Sequence, residues 1–257
     1  MNMILELEES IKTEVIQEHN LSSIPRWNPK PGSVLIASHT NTEERERQFI
    51  QTIGSGNWLY LESNEFRFNK ENLLLESIFV KPSEENIESN LVIEEWLNKK
   101  PVQGTLRLLS PQSFKCESDD YRWMSSDGKL LAAIHDVDWI ESHDKFRLRV
   151  AQDFDLLFAE QKWCGYMLSN PARYLAQPNP AADSDPELPL LAFEYVSLIC
   201  EPNIDYLYDE EPEFLQKILD LRNQINLECG AIDHRRVLYD CLSEIVEYFY
   251  GTAALAK

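Results

Sequence analysis

Glycine is scarce in this chain, with eight among 257 residues. Little is left for loops that cradle phosphate, and neither a Walker A loop nor a GxGxxG fingerprint occurs. GxSxG and HExxH are missing too, so no motif announces a nucleophile elbow or a zinc protease. The five cysteines (Cys116, Cys164, Cys200, Cys229 and Cys241) are odd in number, widely spaced and without a CxxC pair. That pattern argues against a disulfide framework and a zinc site, and for buried thiols in a reducing compartment. Long uncharged apolar runs are also lacking, and the first fifteen residues carry acids where a secretory signal carries bases. The expectation is a cytoplasmic protein with no membrane association.

Basic residues have the most telling gap. From Tyr174 to Gln216 there is no Lys or Arg, while ten carboxylates occur: Asp183, Asp185, Glu187, Glu194, Glu201, Asp205, Asp209, Glu210, Glu211 and Glu213. The whole chain holds 44 acids and 24 bases, so this stretch carries half of the net charge of -20. Such a charge repels nucleic acid and anionic lipid, and favours basic partners, metal cations or plain solubility.

What the chain has is enough material for a core. Its hydrophobic content is 43%, with six tryptophans, and a compact chain of this length buries roughly 75% of its unfolded surface. Residues 3–19 place Ile4, Leu7, Ile11, Val15 and Ile16 at helical spacing, which predicts a short amphipathic helix. Pro25, Pro29 and Pro31 then impose an extended crossing. A buried strand is expected at 33–38 and a charged helix at 42–53. Trp58, Tyr60, Phe66 and Phe68 bracket a Ser63-Asn64 turn, as in a hairpin.

Further strands are expected at 73–80, 105–109, 121–124, 129–135, 145–150, 154–158 and 163–168. An acidic helix at 84–97 interrupts them, with Ile87, Leu91 and Trp96 or Leu97 inward. Asp127-Gly128 suits a two-residue turn. Segments beginning at Leu59, Leu106 and Leu148 share an alternating strand, a small polar break and an aromatic, so repeated hairpins are one reading of this half.

Five prolines between Pro171 and Pro189 mark a boundary. The apolar segment 190–200 fits either a strand or a buried helix. Two amphipathic helices close the chain. Pro212 stands near the start of the first and Gly230 at its end; Asp233 sits in the first turn of the second, and Arg236 and Asp240 are placed to pair. The fold expected is α+β: a largely antiparallel sheet, then a C-terminal helical hairpin. Residues 1–170 form the sheet lobe with its N-terminal helix, and 171–257 the proline-rich crossing and helical lobe.

Two clusters are candidate sites. In residues 135–144, Asp136 and Asp138 share one face of a strand, and His143 returns from the following turn; this set could hold a hard divalent cation for a metal-assisted hydrolase. An acid-rich turn would need the same polar residues. In the other cluster, Tyr206, Tyr208 and Phe214 interleave with Asp205, Asp209, Glu210, Glu211 and Glu213. Rings flanked by carboxylates suit a basic protein surface, the rings supplying buried area and the acids steering and register.

The function expected is therefore that of an acidic binding protein engaging a basic protein partner, for example a toxin-neutralising immunity protein or inhibitor. No cofactor, catalytic residue or direct contact with nucleic acid is expected of it. A non-catalytic subunit of a larger assembly, joined through its Trp-rich strands, is a further reading.

Overall fold

A computed structural model describes residues 3–17, 19–30, 32–56, 63–87, 91–116, 121–135, 144–175, 185–225, 227 and 232–256. The class is α+β, with thirteen strands in mostly antiparallel sheets and six helices among the described residues.

The chain begins with a hairpin, β1 (Ile4–Glu8) and β2 (Ile11–Gln17), where helical spacing predicts a helix. The spacing of Ile4, Leu7, Ile11 and Val15 fits both structures. What decides is the alternation of buried Leu5 and Leu7 with Ile4, Glu6 and Glu8, followed by a run rich in β-branched residues. Ser10 turns the chain with a left-handed φ of 69°.

Two sheets follow. The smaller one runs in the order β3 (Arg26–Asn28), β4 (Ser33–Ile36), β7 (Leu75–Val80), β6 (Glu65–Asn69), β5 (Thr52–Gly54), with α1 (Thr42–Gln51) crossing between β4 and β5. Asn41 caps α1 through Glu44 N, which places its start one residue before the first helical turn. Residues 57–62, with Trp58 and Tyr60 of the expected hairpin, lie outside the described residues.

The larger sheet has the order β1, β2, β8 (Val102–Leu108), β11 (Lys145–Ala151), β12 (Phe154–Ala159), β13 (Lys162–Ser169), β10 (Leu130–Ile134), β9 (Tyr121–Met124). Glu6 also pairs with Lys162, and this contact brings β1 back onto β13 to close a ring of six strands. Among the strand pairings of the described residues, β1–β13 and β8–β11 are parallel and the others antiparallel. The repeated-hairpin reading fits β11–β12, but β8 pairs with β2 and β11 instead of with the strand that follows it. The β9–β10 connection is a longer loop: Ser125 N donates to Leu130 O, enclosing four residues where two were expected.

Both faces of this sheet are covered. Leu131, Ala133, Leu156 and Phe158 face the main core, while Ala132, Ile134, Leu157 and Ala159 face a smaller one under α2 (Leu91–Leu97). Trp96 is the plug of that smaller core; its Nε1 donates to Phe158 O at 3.1 Å, whereas Leu97 faces solvent. The four described tryptophans, Trp27, Trp96, Trp123 and Trp163, are all interior, so none of them lines an outer interface. Cys116, Cys164, Cys200 and Cys241 are buried, and Cys229 lies outside the described residues.

After a 3₁₀ turn (Pro171–Tyr174) come four helices where two were expected: α3 (Leu188–Leu198), α4 (Glu201–Tyr208), α5 (Pro212–Gln224) and α6 (Ile232–Tyr250). The ambiguous segment is helix α3, burying Leu188, Leu191, Ala192, Tyr195 and Val196 at helical spacing. Arg122 of β9 closes its C-terminus, donating to Val196 O at 3.2 Å and Ile199 O at 2.9 Å. Core residues of the sheets, α3, α5 and α6 form one continuous apolar cluster.

Candidate functional site

The acidic stretch divides into two chemically different parts. Asp185 belongs to the interior. Arg235 of α6, 1% exposed, donates to both of its carboxylate oxygens at 2.8 Å and to Glu187 at 2.9 Å. This bidentate pair ties the crossing ahead of α3 to α6, so Asp185 is an internal counterion and presents no charge to a partner. The Asp233-His234-Arg235-Arg236 run thus serves packing. Arg236 and Asp240 are both exposed, and the expected pair between them is not among the ion pairs of the described residues.

The second part, from α4 into α5, is surface. α3 ends ahead of Glu201-Pro202, and these two residues open α4, because proline suits the first helical turn. Leu207 alone is fully buried on this helix. Tyr206 and Tyr208 are 43% and 69% exposed, although each touches another ring. Tyr206 lies 5.7 Å from Phe214, and Tyr208 meets Phe249 edge-on at 5.4 Å. Asp205, Asp209, Glu210, Glu211 and Glu213 are exposed, and none joins an ion pair among the described residues.

The corner between α4 and α5 is built by backbone. Glu211 N donates to Tyr206 O and Glu210 N to Leu207 O, the Schellman pattern, with Glu210 at the left-handed position with φ 53°. Glycine or asparagine normally stands there, and a glutamate costs about 1–2 kcal/mol of backbone strain. Glu211 occupies the N-cap of α5 without a capping hydrogen bond from its side chain. Tyr250 Oη bolts α6 onto this corner, donating to Tyr206 O at 3.3 Å and Glu211 O at 3.2 Å. Its phenol is pushed above the usual tyrosine range by burial, and further by the negative charge of Glu210 and Glu211.

The end of α6 enlarges the patch in a way sequence periodicity missed. Tyr248 is 81% exposed and meets Phe249 edge-on at 4.8 Å, making a continuous aromatic path from Tyr208 through Phe249 to Tyr248. An apolar stripe through Val237, Cys241, Ile245 and Phe249 assigns the inward face, and Tyr248 falls just beside it.

Asp136, Asp138 and His143 lie outside the described residues. Among the described residues, no group of three or more His, Cys, Asp or Glu gathers to hold a metal ion. A polar cleft of about 660 Å³ opens between α1 and the two sheets, lined by His19, His39, Gln48, Asn72 and Thr105. Its charged groups are engaged within the fold: Arg47 pairs with Glu43, and Glu44 accepts from Thr40. No described helix is long and apolar enough to cross a membrane. The chain matches no protein-family model and no curated protein sequence.

Proposed function

We propose that this chain is a cytoplasmic binding protein that engages a basic protein partner through the α4–α5 corner, as a toxin-neutralising immunity protein or inhibitor does. One observation carries the reading: exposed Tyr206 and Tyr208 stand among five exposed carboxylates that have no ion-pair partner among the described residues. Exposed rings offer area to bury at little entropic cost, and the acids around them attract and orient a cation-rich surface. A glutamate held in a glycine-type backbone position adds to this, since such strain is commonly found at binding sites. The function requires no cofactor and no catalytic group.

The test is capture of a partner from native extract by wild-type protein and by the Asp209→Lys/Glu211→Lys variant. The expected result is one stoichiometric basic chain, released by salt and retained at least about 100-fold less by the folded variant. Equal retention of that chain by both proteins overturns the reading.

A further inference from the structure

An apolar cleft of about 450 Å³ lies against the last turns of α6, lined by Ile245, Tyr248 and Phe249, with Glu244, Glu247 and Lys30 as its polar lining. Phe249, which lines the cleft, also touches Tyr208 edge-on, so one ring borders both the cleft and the α4–α5 corner. Lys30, from the turn between β3 and β4, reaches across to form an ion pair with Glu244. Both side chains are more than half exposed (56% and 55%), so solvent screens the pair and it yields readily to a competing cation.

We infer that this cleft takes one large apolar side chain of the basic partner, and that a lysine or arginine beside that anchor displaces Lys30 from Glu244. The inference rests on the binding reading above and specifies what kind of segment is recognised: a cationic one with a central aromatic or long aliphatic residue. Charge complementarity selects this occupant. Glu244 and Glu247 flank the cleft, and the charge of Glu210 and Glu211 reaches Tyr250 two residues beyond Tyr248. A second copy of the chain would bring another net charge of -20 against these same acids. Tyr248 supplies the wall most open to solvent, and an aromatic left uncovered beside a cleft is the kind of residue that carries binding energy once water is excluded. Lys30 thus acts as an internal competitor, and its removal should tighten binding.

The test uses the full chain and two fluorescein-labelled nonapeptides, eight lysines around a central tryptophan or a central glycine, followed by anisotropy at low salt. The tryptophan peptide should bind wild type about tenfold tighter than the glycine peptide. In Tyr248→Ala, an exposed position whose folding circular dichroism verifies, that advantage should fall below about twofold. Lys30→Met, which keeps the aliphatic stem, should tighten the tryptophan peptide about threefold. Equal binding of the two peptides by wild type, or an undiminished advantage in Tyr248→Ala, overturns the inference. If both peptides bind equally and Asp209→Lys/Glu211→Lys weakens both, the acidic-face reading stands and the anchor cleft falls; if neither binds, both fall. Sedimentation of the chain alone provides the remaining arm: a dimer dissolved by Tyr248→Ala would assign the cleft to a second copy and overturn the proposal.

Discussion

Replacing Glu210 by glycine should make the protein more stable and a weaker binder. In the structure Glu210 has φ 53° and closes the C-terminus of α4 through its N–H to Leu207 O, a geometry glycine adopts freely. Relief of the left-handed strain is worth about 1–2 kcal/mol. Against this stands the greater freedom of glycine in the unfolded chain, about 0.5–1 kcal/mol. The net gain is about 0.5–1 kcal/mol, which for a chain of this size raises Tm by roughly 1–4 °C. Urea unfolding followed by circular dichroism gives the quantity directly: the midpoint should rise with an unchanged slope. Glu210→Ala separates charge from backbone, because it removes the carboxylate and keeps the strain; it should lack the gain seen with glycine. The reasoning is refuted if glycine lowers the midpoint, or if alanine raises it as much as glycine does.

Other positions test the frame that holds this surface. Asp185→Ala should cost about 3–5 kcal/mol, since it strips the buried Arg235 guanidinium of its bidentate, buried partner and leaves the largely exposed Glu187 carboxylate to face it, whereas Asp185→Leu with Arg235→Met should recover most of that loss in the same urea assay. Gly128→Ala should destabilise by more than about 1 kcal/mol, because φ is +68° and an added Cβ would stand 1.8 Å from Pro189 O at the start of α3; an unchanged thermal midpoint would contradict that packing. His39 is held below the ordinary value of 6.5 chiefly by burial; the hydrogen bond to Gln48 opposes this, and Arg26 and Arg45 push further down. The unfolded chain therefore takes up that proton first. The stabilisation is present above about pH 6.5 and is lost as pH falls through the lower folded value, so the stability difference between pH 7.5 and 5.5 should shrink in His39→Gln.

Sequence periodicity located most strands because their alternation is local: β9 runs over Tyr121–Met124 as expected, and β6, β7, β11, β12 and β13 differ from expectation mainly at their ends. It misassigned β1 and β2, where apolar spacing served both a helix and a hairpin and the deciding partners, β8 and β13, lie far along the chain. It also passed over α4, whose single buried residue, Leu207, leaves no stripe to detect. The acids and tyrosines of 205–213 were legible because the stretch contains no base at all. Two limits of that reading were not legible: Asp185 is neutralised by a residue fifty positions away, and Tyr248 joins the patch only because α6 returns to the α4–α5 corner.

The central claim is that exposed, unpaired carboxylates beside exposed tyrosines draw in a basic protein. The most direct measurement is the Kd of the captured partner across a salt series, for wild type and for Asp209→Lys/Glu211→Lys. Exposed charge pairs are screened over about 8 Å at physiological ionic strength, so wild-type affinity should fall steeply with salt, and the variant should be weak at every salt with a flatter dependence. Wild-type affinity that ignores salt, or a variant that binds as well as wild type, would contradict the account.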